Sequence, residues 1–119
     1  MTRSLEFRAW DGKNMNHSYS YSGPAIKNGS LAEFFQHNFF NTIMQYTGLK
    51  DRNGTKIFEG DIVRNTDQDE LDTIISWIQD ACCFGRICGG TETWFLYQFQ
   101  AEEYEVVGNI YENPELPEN

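Results

Sequence analysis

Two groups of side chains could bind a metal or carry catalysis, and both also have a structural interpretation. Cys82, Cys83 and Cys88 lack the paired Cys-x-x-Cys spacing of a structural zinc site, and His17 and His37 lie far away in the sequence. We therefore expect no metal and no cofactor, with alternate cysteines facing the interior of a strand as small hydrophobic residues. A cysteine nucleophile needs a base and an orienting group, and the sequence places neither beside it.

Glu59 and Asp61, which flank Gly60, form a candidate pair for acid and base catalysis. Carboxylates in turns bond to nearby backbone amides far more often than they carry catalysis, so we interpret both as structural. The sequence therefore predicts no catalytic residue, and we do not expect an enzyme.

A third group has the chemistry of nucleic-acid binding, because small barrels often bind single strands with a basic groove and stacking aromatic rings. The alternative is a hairpin whose charged arms keep the protein soluble, and the acidic balance of the chain favours it. The candidate binding residues are Tyr46, Lys50, Arg52, Lys56, Phe58 and Arg64.

The turn at Asn53-Gly54 organises this basic region. Asn-Gly readily adopts positive φ at both central residues of a type I′ turn, so the sequence predicts a hairpin with arms 50–52 and 55–58. Gly48 is expected to end the β-prone run that precedes it.

Beyond the hairpin, runs of β-branched and aromatic residues predict five short strands with no intervening helix. That count is expected for a small SH3-like or OB-like barrel. The predicted strands begin at Ile62 and then cover 73–78, 82–88, 93–99 and 104–111, with a polar loop over 65–72.

The N-terminal part is predicted to hold a hairpin, an irregular loop and one short helix. Apolar and charged residues alternate over 5–9, which predicts a strand, and a turn with a weaker second arm follows. Residues 16–29 have no helical period and are interpreted as an irregular loop. Ser30 and Glu33 form a capping-box pattern at the start of a helix over 31–38.

This helical region contains more aromatic rings than one short helix can turn towards a small barrel. Exposed aromatic patches usually mark a contact, so we predict a homo-oligomer. The alternative is a monomer in which the loop folds back and buries the rings. The candidate interface residues are Phe34, Phe35, Phe39 and Phe40.

The net charge of −9 is unevenly distributed. Through Arg64 there are eight Lys or Arg against six Asp or Glu, whereas beyond it there is one against twelve. The acidic half repels phosphate, so duplex DNA is not expected as a partner and a basic protein is electrostatically easier. The alternative is that the acids only maintain solubility.

The chain of 119 residues has the size of one domain. No window approaches the roughly 18 to 20 apolar residues that cross a bilayer, and we see no signal peptide. Together with the odd number of cysteines, this predicts a protein of a reducing cytoplasm.

Three blocks of sequence resemble the YopX family of phage and prophage proteins, and they occur in the family's order. The blocks are Phe-Arg-Ala-Trp-Asp at 7–11, the long string at 45–63, and Val-Gly-Asn-Ile-Tyr-Glu-Asn-Pro-Glu-Leu at 107–116. The resemblance implies a small phage-encoded protein of the host bacterial cytoplasm, with a β-rich, SH3-like barrel element. A basic partner would then be a basic phage or host protein. It implies no established biochemical activity.

We therefore predict an α+β, mainly β protein with the SH3-like barrel in its C-terminal half. The expected divisions are an N-terminal lobe and central hairpin over 1–60, the barrel over 61–112 and a tail over 113–119. The predicted function is a phage or prophage accessory protein that binds or assembles. The alternatives are a single-stranded nucleic-acid binder that uses the basic hairpin and an acidic decoy of a basic host protein.

Overall fold

A computed structural model describes residues 5–17, 30–65, 72–79, 82–88, 91–94 and 100–116. Among them lie nine strands, one α-helix and a short 3-10 turn at Ala101–Glu103. The elements are β1 Phe7–Trp10, β2 Met15–His17, α1 Ser30–His37, β3 Thr42–Lys50, β4 Lys56–Phe58, β5 Asp61–Asn65, β6 Thr73–Ile78, β7 Cys83–Cys88, β8 Thr91–Trp94 and β9 Tyr104–Asn109. No helix in this described part is long and apolar enough to span a membrane.

The strands form two antiparallel sheets that curl into a half-barrel. The four-stranded sheet has the order β2-β1-β3-β4, and the five-stranded sheet has the order β8-β7-β6-β5-β9. The prediction of a mainly β protein with one short helix and five C-terminal strands is confirmed. The predicted strand at 73–78 and the helix match the structure closely, since α1 begins one residue earlier, at Ser30.

Some strand boundaries differ from the prediction. β5 begins at Asp61 and β8 covers Thr91–Trp94, while 95–99 lie outside the described residues. β9 ends at Asn109, because its side-chain oxygen accepts hydrogen bonds from the amides of Tyr111 and Glu112 and turns the chain.

The turn at Asn53-Gly54 is not type I′. Gly54 has φ of 81°, as predicted, but Asn53 does not share the positive φ that a type I′ turn requires. The Gly54 amide donates to the Asp51 carbonyl at 3.0 Å, and the Asp51 amide donates to the Thr55 carbonyl at 2.8 Å. This is a three-residue loop with a left-handed glycine at its end, and the Asp51 carboxylate supports it.

The prediction that Gly48 ends a strand is wrong. β3 continues through Gly48 to Lys50, and the pairing with β4 changes register between Tyr46 and Lys50. Gly48 has φ of 91°, which glycine adopts without steric cost, so the strand passes this point as a bulge.

The prediction that alternate cysteines face the interior is wrong for Cys82. β7 begins at Cys83, and Cys82 is exposed in the preceding turn with φ of 51°. Cys83 is half-buried, and the side chain of Cys88 lies outside the described part. The same holds for the side chains of the capping box and for most of the two predicted loops, at 18–29 and 66–71.

The hydrophobic core joins the hairpin to the five-stranded sheet. Ile57 of β4 is fully buried against side chains of β5, β6 and β9. The hairpin tip also caps the edge of β9, because the Arg52 amide donates to the Tyr104 carbonyl and the Val106 amide donates to Asp51 Oδ2, both at 2.9 Å. The core cluster is Ile57, Val63, Ile75, Ala101 and Tyr104, with Leu49 and Val106 packed against it.

Candidate functional site

A cavity of about 480 Å³ lies where β1, the β3–β4 hairpin and β9 meet, and we call this region the seam. Residues of both sheets line it, because β1, β2 and the β3–β4 hairpin belong to the four-stranded sheet and β5 and β9 to the five-stranded sheet. The residues that give it polar and charged character are Glu6, Arg8, His17, Lys56, Asp61 and Asn109.

The floor of the seam is a buried ion pair. Arg8 Nη2 lies 2.8 Å from Asp61 Oδ1, and the two side chains are only 7% and 2% exposed. The same nitrogen donates to the Glu59 carbonyl at 3.0 Å, and the guanidinium lies 4.8 Å from the centre of the Phe58 ring. These contacts offset the desolvation of the two charges, which would be costly if either were unpaired.

The carboxylates of Glu59 and Asp61 both hold backbone amides. Asp61 Oδ2 accepts from the Phe58 amide at 2.7 Å within the turn, and Glu59 Oε1 accepts from the Gln45 amide at 2.8 Å on β3. Burial raises the pKa of Asp61, although Arg8 acts in the opposite direction, and burial likewise raises the pKa of Glu59. Their geometry is that of structural caps.

The mouth of the seam carries a second ion pair. Lys56 Nζ lies 2.6 Å from Glu6 Oε2, with the lysine side chain 39% exposed and the glutamate 11% exposed. The ammonium also lies 5.6 Å from the centre of the Tyr46 ring. Lys56 therefore remains reachable by solvent, whereas its counter-ion is mostly covered.

His17 lies beside this pair with its ring edge-on to Phe58, at 5.6 Å between ring centres. His17 is exposed overall, but burial of part of its imidazole lowers the pKa. The Arg8 charge lowers this pKa further, while Glu6 and Glu112 act in the opposite direction. The imidazole is therefore mainly neutral near neutral pH.

The structure disperses the predicted nucleic-acid site. Tyr46 and Phe58 pack on each other at 5.6 Å and both are buried, so neither ring is exposed on the outer face of the hairpin, where a nucleic-acid strand would lie. Phe58 contributes only to the wall of the seam cavity. Lys50 and Arg52 are exposed on the hairpin, and Lys56 lies in the seam.

Arg64 lies on the five-stranded sheet, away from the hairpin arms that carry the other predicted cations. Its guanidinium binds both carboxylate oxygens of Asp72, at 2.9 and 3.1 Å. Lys56 is likewise paired with a carboxylate, that of Glu6.

The seam residues Glu6, Arg8 and His17 were not expected to form a site. Glu6 and Arg8 alternate with apolar residues over 5–9, a pattern that ordinarily places charged side chains in solvent. Both are buried because the partner of Arg8 comes from β5 and that of Glu6 from β4. No local pattern in the sequence signals these contacts.

The four predicted interface residues divide into two pairs. Phe35 packs edge-on against Phe7 of β1 at 5.0 Å and against Phe34 at 5.8 Å, so this pair is partly covered. Phe39 and Phe40, which we call the aromatic corner, are 76% and 95% exposed and lie edge-to-face at 5.0 Å.

The turn that carries the aromatic corner is fixed by Asn38. This buried side chain donates to the Phe34 carbonyl at 2.8 Å and accepts from the Asn41 side-chain amide at 2.9 Å. The Asn41 backbone amide also donates to the Asn38 carbonyl at 2.9 Å. The rings are therefore held outward by an ordered turn.

Residues 6–118 match the model of the YopX protein family. The crystal structure of protein EF1440 from Enterococcus faecalis is similar to this chain, with 27% identity and a TM-score of 0.52. The similarity covers 96% of this chain and 98% of that one. A search of curated proteins found no match. Since the family model spans nearly the whole sequence, the chain belongs to the YopX family.

Proposed function

We propose that this protein is a non-enzymatic phage or prophage accessory module of the host bacterial cytoplasm, which assembles with a second copy of itself through the aromatic corner. Membership of the YopX family supports the phage-type origin. The curled five-stranded sheet supports the finer assignment of an SH3-like barrel, a small scaffold suited to presenting a binding surface.

The observation that carries this proposal is the exposure of Phe39 and Phe40. Burying a large apolar side chain stabilises a protein by about 1.5 to 3 kcal/mol, and this chain forgoes that gain twice at adjacent positions. Asn38 holds the turn, so the exposure is built into the fold. Exposed apolar groups of this kind commonly mark a contact with another protein.

The distribution of charge favours a second copy of the chain as the partner at the aromatic corner. Residues 34–49 contain no Asp, Glu, Lys or Arg, although the chain carries a net charge of −9. Two like-charged chains therefore meet with least repulsion at this segment, and the cores of interfaces are similarly depleted of charge. A two-fold arrangement would bring the same rings together from both copies.

Sedimentation equilibrium at micromolar concentration tests the assembly. We expect the wild type to sediment as a species larger than the 13.8 kDa chain. The variant Phe39→Ser/Phe40→Ser should sediment as the single chain, because it loses only the proposed contact. Trp77→Ser is the matched control, since Trp77 is also exposed but lies on β6, and it should leave the mass unchanged.

A wild type that sediments only at the chain mass would overturn the proposal. So would a larger species that survives the double substitution.

A basic protein is the second candidate partner, supported by the twelve acidic residues that follow Arg64. Attraction of this kind weakens steeply as salt rises, whereas apolar self-association does not. Comparing sedimentation at low and high salt, with and without a basic test protein, therefore separates the two modes of contact.

A further inference from the structure

The cavity of the seam has the volume of a small-molecule site, since such sites usually measure about 300 to 1,000 Å³. Its walls are mixed. Phe58 and Val106 supply apolar surface, and the charged side chains gather on the side formed by β1 and the hairpin. This distribution suits a ligand with an apolar body and one polar end.

The sign of the polar end follows from which charges are accessible. Asp61 and Arg8 form a buried ion pair with each other at the floor of the cavity, and Glu6 is mostly covered. Lys56 is the more exposed member of its pair, and its ammonium has three donors, of which Glu6 takes one. A ligand that enters the cavity therefore meets a cation at its mouth.

His17 adds a second group that responds to an anion. The charged side chains around it are Glu6 just before β1, Arg8 on β1, Lys56 on β4, Asp61 on β5 and Glu112 after β9. Burial and Arg8 keep the imidazole mainly neutral, whereas an anion placed beside it would favour the protonated form. Arg8 and Lys56 oppose three carboxylates, those of Glu6, Asp61 and Glu112, so a proton on His17 offsets the third carboxylate and reduces the repulsion that an added anion would meet.

We propose that the seam cavity binds a small organic monocarboxylate, with its carboxylate between Lys56 and His17 and its apolar body against Phe58 and Val106. The site is separate from the aromatic corner, so it goes beyond self-association and does not depend on it. Because Lys56 and a protonated His17 are the accessible cations among three carboxylates, the site favours a monoanion over phosphate, which carries more charge and has no apolar body.

Titration calorimetry with benzoate tests the site, with benzamide as its neutral counterpart and inorganic phosphate as an anion without a ring. We expect benzoate to bind in the millimolar range, and benzamide and phosphate to bind at least about tenfold more weakly. Affinity for benzoate should be higher at about pH 6 than at about pH 8, because His17 takes up a proton on binding.

Variants assign the effect to the two groups. Lys56→Gln should weaken benzoate binding at least about tenfold, whereas Lys50→Gln should leave it unchanged. Lys50 is the matched control because it faces Lys56 across the hairpin but does not line the cavity. Lys56→Arg keeps the charge and should retain binding, and His17→Asn should remove the pH dependence.

The proposal fails if folded wild-type protein does not bind benzoate at about 10 mM and pH 6, or if benzamide or phosphate binds as tightly as benzoate. Equal losses in Lys50→Gln and Lys56→Gln would also overturn it, since they would indicate a general effect of charge.

Discussion

The seam and the aromatic corner invert the usual distribution of side chains in opposite directions. The seam places Arg8 and Asp61 in the interior, and the corner places Phe39 and Phe40 in solvent. The buried charges persist because they satisfy each other and the backbone around them. The exposed rings persist because a hydrogen-bonded turn holds them there. In this protein the partners of a side chain, more than its polarity, decide where it lies.

The largest loss of stability should follow from removing one partner of the buried Arg8–Asp61 ion pair in the seam. Asp61→Ala removes the counter-ion of Arg8 and leaves a buried positive charge, which should lower the free energy of unfolding by about 3 to 5 kcal/mol. Asp72→Ala is the matched control, because it removes the partner of the exposed Arg64 and should cost at most about 1 kcal/mol. Urea denaturation of the two variants measures the difference.

A double variant shows whether Asp61→Ala loses stability through the unpaired charge of Arg8 or through lost packing. Arg8→Met/Asp61→Leu removes both charges and should recover much of the stability that Asp61→Ala loses. Equal free energies of unfolding for Asp61→Ala and Asp72→Ala would show that the buried ion pair stabilises the fold no more than the exposed one.

A smaller effect is expected at the hairpin tip that forms one wall of the seam. Gly54→Val places a β-branched residue at φ of 81°, and this should cost about 1 to 2 kcal/mol. Asn53→Val, at the neighbouring exposed position without positive φ, is the control and should cost less. Thermal unfolding of both variants under one condition tests the difference, and equal midpoints would contradict it.

The smallest change in the free energy of unfolding should come from substitutions at the aromatic corner. Phe39→Ser/Phe40→Ser removes rings that bury little surface in one chain, so the free energy of unfolding should change by no more than about 0.5 kcal/mol. The measurement belongs at a protein concentration where the wild type is a single chain, because association adds apparent stability. A loss as large as that of Asp61→Ala would show that these rings belong to the core.

Local patterns predicted the parts of the fold that local chemistry determines. The β-branched run at 73–78 specifies β6, and Asn53-Gly54 specifies a hairpin with a left-handed glycine. The predicted type I′ turn was wrong, because the Asp51 carboxylate accepts hydrogen bonds from the amides of Asn53 and Thr55. These bonds stabilise a three-residue loop instead.

The candidate site was accessible to sequence reasoning only in part. The exposed aromatic rings were expected near the helix, and Phe39 and Phe40 are exposed there. The seam was not predicted, because Arg8 contacts residues far away in the sequence. Its partners are Glu59, 51 residues away, and Asp61, two residues beyond Glu59. A pairing set by the approach of two sheets leaves no periodic signal in either segment.

The Asp51 carboxylate also has a consequence for the order of folding. Its Oδ1 atom belongs to the hairpin tip, while its Oδ2 atom accepts from the Val106 amide, 55 residues away. Hairpins form in about 1 to 10 μs, whereas pairing between distant segments must first close a long loop. We expect the tip to form early and to present a preformed acceptor on which β9 docks late. A chain arrested before Tyr104 would therefore keep the hairpin tip and leave Asp51 Oδ2 without its donor.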